Sequence, residues 1–286
     1  MHPKITLYAR PRAGMTSWFE MVDYCVEKGI KNLETLSVME LSAPDVEFAK
    51  KLKDYCDKKD IKIVCVSVGG ELVGEDEEAK VKRMQGYADV AKILGSAYLH
   101  HTIAFNFWDP DAMLANKEEL FNQGILRARQ VFDYAKNLGI QAICEEQGYI
   151  FNGVAGYGRF LETVDRAYGT VADFGNIQQA EEPIEDLICA YASYIRHVHL
   201  KDVALTAKED RPICQGEFLT INKNYMASSI WGQGNVDMEA GIKALLDAGY
   251  TGYYAIESDP STEDAPDYFE QNLAYADQLL TKLGVE

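Results

Sequence analysis

Residues 140–146 read IQAICEE, a short apolar run that stops in two carboxylates. Similar runs recur along the chain and alternate with longer segments in which apolar residues repeat every three or four positions. In chain order the runs are KITLYA from residue 4, IKNLETL from 30, IKIVCVSV from 61, SAYLHH from 96, IQAICEE from 140, GTVADFG from 169, IRHVHLKD from 195 and GYYAIESD from 252. Buried parallel strands are hydrophobic along their length and are joined by helices, so this alternation predicts an α/β fold, a single (β/α)8 barrel of the TIM type.

The segments between these runs have the periodicity of amphipathic helices. One buried face is marked in each of four segments by the sets Trp18, Val22, Cys25; Ala49, Leu52, Cys56; Ile125, Ala128, Phe132, Ala135; and Phe269, Leu273, Ala276, Leu280. Glycines that stand just before the next run are expected to end helices in a left-handed conformation: Gly29, Gly95, Gly139 and Gly249.

The sequence shows no linker rich in proline or serine and no shift in composition, so residues 1–286 are predicted to form one domain. Residues 203–234 form a long loop after the seventh predicted strand. Loops of that length in compact domains are commonly lids or binding elements, so we expect it to cover an active site.

Charge and composition exclude several classes of function. The formal net charge of -17 would repel a phosphate backbone, which argues against nucleic acid as a partner. No apolar run approaches the ~20 residues of a membrane span, and we expect no membrane partner and a cytoplasmic location. The six cysteines lie far apart, without C-x-x-C spacing, and are predicted to be small core residues. Assembly into a homo-oligomer is left open.

The last four predicted strands end in side chains that can bind a metal: Glu145, Asp173, His199 and Glu257. Strand ends of an α/β barrel converge on one pocket, where clustered carboxylates repel one another unless a cation or protons neutralise them. Oxygen ligands with one imidazole suit Mn²⁺, Mg²⁺ or Co²⁺ and permit Zn²⁺. Alternation places His197 and His199 on one face, so His199, nearer the strand end, should reach the metal while His197 lies below it in the core.

These motifs resemble those of the sugar isomerase/epimerase superfamily of xylose-isomerase-like barrels, which includes ketose 3-epimerases, hydroxypyruvate isomerases and inosose dehydratases. The matching positions are Glu145 in ICEEQG, Asp173 in DFGN, His199 in HVHLKD and Glu257 in AIES. The resemblance implies that these four residues hold one divalent metal ion and that Glu145 and Glu257 face opposite sides of the reacting carbon of the substrate.

The chemistry that the resemblance implies is proton abstraction next to a carbonyl of a small sugar or sugar-like polyol, through a metal-stabilised enediolate. Return of the proton to the opposite face gives epimerisation, and return to the adjacent carbon gives isomerisation. The same site could instead act as a metal-dependent dehydratase of an inosose or dehydroshikimate-like substrate, or bind metal and sugar without turnover. Asn176 stands where ketose epimerases usually have a histidine, and Lys201 and the more distant Arg211 stand in place of their arginine segment, so no particular epimerase is assigned.

Further polar side chains at the strand ends are predicted to bind substrate: Glu34, His100, His101, Glu146, Asn176 and Lys201. Alternation allows only one of the two neighbouring histidines to face the pocket. Glu34 could instead be a buried, hydrogen-bonded acid, and Lys201 could pair with a nearby carboxylate.

Two further features allow more than one interpretation. Gly232 and Gly234 in WGQGNVD could shape a phosphate contact, although a tight loop is the favoured interpretation. The aromatic residues Phe105, Phe107 and Trp108 could form an apolar wall over a sugar or a dimer surface.

Overall fold

The structure is a computed structural model with side chains, and it describes residues 1–8, 15–104, 109–209, 212–214, 216–258 and 268–286. In chain order the described strands are β1 (Ile5–Tyr8), β2 (Asn32–Leu36), β3 (Lys62–Val68), β4 (Tyr98–His101), β5 (Gln141–Glu145), β6 (Gly169–Asp173), β7 (Ile195–Leu200), β8 (Val203–Thr206), β9 (Glu217–Leu219), β10 (Tyr225–Ser228) and β11 (Tyr254–Glu257).

Strands β1 to β7 and β11 close into a parallel barrel in which β11 pairs with both β7 and β1. Each of these strands falls within one of the eight apolar runs, so the predicted (β/α)8 TIM barrel is confirmed. Because parallel strands all end at the same rim, the side chains at residues 145, 173, 199 and 257 are brought to one end of the barrel.

Helices surround the barrel: α1 (Trp18–Lys28), α2 (Val46–Lys59), α3 (Glu77–Leu94), α4 (Pro110–Ala115), α5 (Lys117–Asn137), α6 (Gly153–Val164), α7 (Ile184–Tyr191), α8 (Met238–Asp247) and α9 (Phe269–Lys282). The apolar positions predicted from periodicity are all buried. Helix α1 begins at a capping box formed by Ser17 and Glu20 and ends at Gly29, whose φ of 67° is left-handed as expected. The other three predicted glycines also have positive φ.

The two faces of β5 show how the barrel directs its side chains. Ile143 belongs to a small cluster with Val64, Cys65 and Val171, apart from the main core between the sheet and the helices. Cys144 belongs to that main core, and its carbonyl accepts a hydrogen bond from the Tyr157 hydroxyl on α6. Alternation therefore carries Glu145, like Ile143, toward the inside of the barrel.

The segment predicted as a long loop at 203–234 contains an antiparallel sheet in the order β8-β10-β9, so the loop assignment is wrong for this part. In that sheet Met226 is paired with Phe218. Strands of three or four residues contain too few residues for a period of two to stand out from the sequence, which explains the error.

Two cysteines differ from the prediction. Cys189 and Cys214 are exposed, whereas the other four are buried as expected. Cys189 lies on α7, a helix of eight residues in which one face alone packs inward. Within the described ranges, no helix is long and apolar enough to cross a membrane.

Candidate metal and active site

A cavity of about 330 Å³ opens at the C-terminal ends of the barrel strands. Its polar lining includes Tyr8, His100, Glu145, Gln147, Asn176, Lys201 and Glu257. Its apolar lining includes Leu36, Val38, Val68, Val203, Phe218 and Met226. Strands β8, β9 and β10 thus contribute part of the cavity wall.

The four predicted metal ligands come together at this cavity. One oxygen or nitrogen atom from each of Glu145, Asp173, His199 and Glu257 lies within 4.8 Å of the corresponding atoms of the other three. The Nδ1 atom of His199 is 3.3 Å from Glu145 Oε2, 3.5 Å from Asp173 Oδ2 and 3.2 Å from Glu257 Oε2. Asp173 and His199 are completely buried, and the two glutamates are nearly so.

The hydrogen bonds of Asp173 and His199 test whether this group fits a cation. Asp173 Oδ1 accepts hydrogen bonds from the backbone N–H of Gly175 at 2.8 Å and of Asn176 at 2.7 Å. Asp173 Oδ2 and His199 Nδ1 make no hydrogen bond among the described residues, although both are buried. Such atoms are costly to leave without a partner, and a divalent cation between three carboxylates and one imidazole would satisfy both of them. The residues therefore fit a metal.

The two glutamates differ in their electrostatic surroundings. Burial, together with Asp173 and Glu257, raises the pKa of Glu145 to about 7 although His199 opposes the shift. Burial alone would also raise the pKa of Glu257, but the ammonium of Lys201 and the ring of His199 hold that pKa below its usual range. One glutamate can therefore carry a proton near neutral pH while the other stays ionised, which is how paired carboxylates divide acid and base roles.

Lys201 is placed by an ion pair. Its Nζ donates to Glu257 Oε1 at 2.7 Å and lies 3.4 Å from Asn176 Oδ1. Lys201 therefore does pair with a nearby carboxylate, which was the alternative to a contact with substrate. Lys201 and Asn176 also both line the cavity. The Nδ2 atom of Asn176 is buried without a hydrogen bond among the described residues.

Glu34 is completely buried, and the cavity lining does not include it. Its Oε2 lies 2.6 Å from His197 Nε2, and its Oε1 lies 3.1 Å from His199 Nε2 and accepts the hydroxyl of Ser67. Burial alone would raise the pKa of Glu34, but His197 and His199 hold it well below its usual range. The structure therefore places Glu34 as the buried, hydrogen-bonded acid of the alternative interpretation, below the cavity.

The two neighbouring histidines of β4 face opposite ways, as alternation requires. His100 lines the cavity, with Nδ1 2.9 Å from Ser67 Oγ and Nε2 3.4 Å from Glu145 Oε2. The ring of His101 points to the helices, where Nε2 is 3.0 Å from the hydroxyl of Tyr168. His100 is therefore the histidine of this pair that a substrate could reach.

Glu146 also lies off the cavity. It is completely buried, and its Oε1 accepts a hydrogen bond from the backbone N–H of Asp173 at 2.9 Å. Burial raises its pKa well above the usual range, with the charge on Asp173 adding to the shift. Its contact is with the backbone that carries a candidate ligand, and it does not reach the space for substrate.

The glycines of WGQGNVD form a turn around a carboxylate. The N–H groups of Gly232 and Gly234 donate to Asp202 Oδ2 at 2.9 and 3.1 Å, and Val236 N–H donates to Asp202 Oδ1. Because these donors are already used by an anionic side chain, the tight-loop interpretation holds and a phosphate contact is not supported.

Some cavity residues were not identified from the sequence. Tyr8, the last residue of β1, stacks on His199 with ring centroids 4.6 Å apart, and Gln147 lines the cavity two residues after Glu145. Both follow the same strand-end rule that identified the carboxylates, so that rule would have found them. Phe105, Phe107, Trp108 and Arg211 lie outside the described residues.

Comparison with solved structures gives matches over nearly the whole chain. The IolI protein solved with a bound zinc atom is 17% identical, with 98% of each chain covered and a TM-score of 0.74. D-psicose 3-epimerase from Clostridium cellulolyticum H10, solved with D-tagatose, is 15% identical, with 97% of this chain and 98% of that chain covered and a TM-score of 0.74. A xylose isomerase-like TIM barrel protein from Mycobacterium smegmatis, in complex with magnesium, is 19% identical, with 95% and 90% covered and a TM-score of 0.69.

Identities this low show a common fold and no more. A search of curated protein sequences finds no match. A family model described as the xylose isomerase-like TIM barrel matches residues 19–279. This chain belongs to the family of xylose isomerase-like TIM barrels.

Proposed function

We propose that this protein is a divalent-metal-dependent isomerase or epimerase of a small sugar or sugar-like polyol. The observation that carries the proposal is the cluster of Glu145, Asp173, His199 and Glu257 at the cavity, in which two buried ligand atoms make no hydrogen bond to any described residue. The similar structures support it, since they include a 3-epimerase solved with a ketose and barrels solved with zinc and with magnesium.

Glu145, Asp173, His199 and Glu257 would hold the cation. When bound, a divalent ion would supply positive charge that stabilises the anion formed on substrate oxygens as a proton leaves the neighbouring carbon. The donor set is compatible with Mn²⁺, Mg²⁺, Co²⁺ or Zn²⁺.

The two glutamates would move the protons. Glu257, kept ionised by Lys201, takes the proton from the carbon next to the carbonyl, and the C–H electrons form the double bond of an enediolate. Glu145, whose pKa is about 7, returns a proton to the opposite face of that carbon for epimerisation. For isomerisation it returns the proton to the adjacent carbon, and the hydroxyl hydrogen on the first carbon passes to the oxygen of the former carbonyl. The two glutamates have then exchanged protonation states, and solvent resets them.

His100 and Asn176 would orient the substrate. His100 Nε2 and Asn176 Nδ2 are buried, belong to residues that line the cavity, and make no hydrogen bonds among the described residues. One hydroxyl that donates to His100 and one that accepts from Asn176 would satisfy both atoms. A polyhydroxylated substrate offers both kinds of contact.

Hydrogen exchange in deuterated water tests the proposal. The protein, loaded in turn with Mn²⁺, Mg²⁺, Co²⁺ and Zn²⁺, is incubated with a panel of ketoses, aldoses and inososes, and products are followed by NMR after removal of the metal. We expect one carbon-bound hydrogen of the true substrate to exchange with solvent. The Glu257→Gln variant should still bind a sugar but lose turnover, whereas Glu118→Gln, an exposed position on α5, should behave as wild type.

Other outcomes of the same experiment would replace the proposal. Loss of water from the substrate, seen by mass spectrometry, would show that the site acts as a dehydratase. Sugar binding that survives in Glu257→Gln, with no exchange for any sugar in the metal-loaded wild type, would show a barrel that binds without turnover.

A further inference from the structure

The side chain of Glu34 spans the inside of the barrel below the cavity. It starts on β2, and it reaches His197 and His199 on β7, a strand separated from β2 by β1 and β11. It also accepts the hydroxyl hydrogen of Ser67 on β3. Because Glu34 is completely buried and lies off the cavity lining, substrate binding does not explain an acid at this position.

The direction of each hydrogen bond follows from the chemistry of the partners. An ionised carboxylate only accepts, so Nε2 of His197 and Nε2 of His199 must both carry a hydrogen. The hydroxyl of Ser67 has one hydrogen, which it gives to Glu34, so toward His100 Nδ1 the Ser67 oxygen acts as the acceptor. Nδ1 of His100 must then carry the hydrogen of that ring.

We propose that Glu34 is a positioning residue that fixes the hydrogens of three histidines, holding them on Nε2 of His199, Nε2 of His197 and, through Ser67, Nδ1 of His100. Nδ1 of His199 is thereby the nitrogen left for a cation, and Nε2 of His100 is left as an acceptor at the cavity. This inference rests on the proposed function only in assigning those two nitrogens to metal binding and to substrate binding.

For the metal site, the consequence is that Glu34 determines which ring nitrogen of His199 is available to the cation. The two ring nitrogens of a histidine differ little in intrinsic preference, so the partner of one nitrogen decides which nitrogen is available to a metal. Carboxylates behind metal-bound histidines act in this way, and their replacement typically weakens metal binding about 10- to 100-fold. Glu34 would do so for His199, and the same carboxylate would prepare His100.

The Glu34→Gln variant tests the hydrogen positions directly. One of the two oxygen positions must become an NH₂ donor, so at least one of the partners has to reverse its hydrogen bond. If the NH₂ faces His197, the hydrogen of that ring moves to Nδ1; if it faces His199 and Ser67, the pattern of His199 or His100 changes. Long-range ¹H–¹⁵N NMR of histidine-labelled protein shows which nitrogen of each ring carries the hydrogen. His100 and His197 are measured in metal-free protein and His199 in Zn²⁺-loaded protein.

Two further variants separate the branches of the network. Ser67→Ala removes the acceptor for His100, so the fixed hydrogen pattern of His100 should be lost while His197 and His199 keep theirs. Thr35→Val is the matched control, because Thr35 is the next residue on β2, is completely buried and has a hydroxyl without a hydrogen bond among the described residues. It should leave all three histidines as in wild type.

Metal affinity is the second measurement. Glu34→Leu removes both acceptor oxygens, and calorimetric titration with Mn²⁺ should show binding about 10- to 100-fold weaker than in wild type and Thr35→Val. Circular dichroism establishes that each variant is folded; if Glu34→Leu does not fold, the NMR result on Glu34→Gln decides. A folded Glu34→Gln protein in which all three histidines keep the wild-type pattern would overturn the inference, as would wild-type Mn²⁺ affinity in folded Glu34→Leu.

Failure of this inference is distinguishable from failure of the proposed function. The NMR pattern of metal-free His100 and His197 does not depend on any sugar or on turnover. A protein that exchanges no hydrogen with any sugar but shows the expected histidine patterns would retain the role of Glu34 and lose the proposed reaction.

Discussion

The ends of β4 and β5 each carry two neighbouring residues of the same type, one of which faces the cavity while the other faces away from it. His100 and Glu145 face the cavity, 3.4 Å apart, whereas His101 and Glu146 turn away to the hydroxyl of Tyr168 and the backbone of Asp173. All four side chains are buried. Burial and residue type at a strand end therefore do not identify a reactive group. The face of the strand from which the side chain projects does identify it.

The largest expected contrast is between the two glutamates. Replacement of Glu145 by Gln removes a proton carrier and the negative charge of one ligand, and kcat should fall by about 10²- to 10⁴-fold. Burial keeps the pKa of Glu146 well above its usual range, which favours the neutral form, and Glu146→Gln preserves the shape of the side chain. We expect less than about a tenfold fall for it, measured with the substrate found by hydrogen exchange. Equal losses in the two variants would break the comparison.

The pH dependence of metal binding should come only from side chains that face the cavity. Although burial would lower it, the pKa of His199 is raised by Glu34, Asp173, Glu145 and Glu257. A cation displaces the proton on Nδ1 of His199, so affinity should rise with pH, by up to about tenfold per unit. Burial lowers the pKa of His101 to about 4 and leaves it uncharged near neutrality.

Calorimetry of Mn²⁺ binding in buffers of different ionisation enthalpy measures this proton release. Mn²⁺ affinity that is constant from about pH 6 to 8 would show that the cation does not compete with protons at these side chains.

The smallest effects are expected at the two histidines, and they should differ in kind. His100→Phe removes an acceptor at the cavity, so kcat/KM should fall by about tenfold, the equivalent of one hydrogen bond. His101→Phe removes one hydrogen bond from the hydroxyl of Tyr168, which still donates to the Ala128 carbonyl, so the free energy of unfolding should fall by about 1 kcal/mol while kcat/KM is retained. Urea denaturation and steady-state kinetics of both variants check this; a loss of kcat/KM in His101→Phe alone would reverse the assignment of the faces.

Much of the fold could be predicted because strand burial and helical periodicity are local properties of the sequence. The closing carboxylates of β5, β6 and β11 were found by the same local rule, since each directly ends an apolar run. The role of each site residue, and the organisation of residues 1–286 as one domain, stay predictions.

The rest of the site depends on contacts between residues that are far apart in the sequence and on the register of neighbouring strands. No local sequence pattern contains this information. Glu34 and His199 are 165 residues apart, and their contact exists only because the barrel closes. The pairing of β2 with β3 shifts at Leu33 and Glu34, so counting residues along neighbouring strands does not give the side chains that meet. Strands β8 to β10 were missed because they are too short to show a period.

The turn around Asp202 determines how the wall of the cavity is attached to the barrel. Its carboxylate holds the N–H groups of Gly232, Gly234 and Val236, while Val203 and Asn235 are joined by a backbone hydrogen bond of 2.7 Å. Both ends of the inserted sheet are therefore fastened to each other at the rim of the barrel. A change in the length or sequence of the segment between these fixed ends can therefore alter the wall of the cavity while the residues beneath it stay in place.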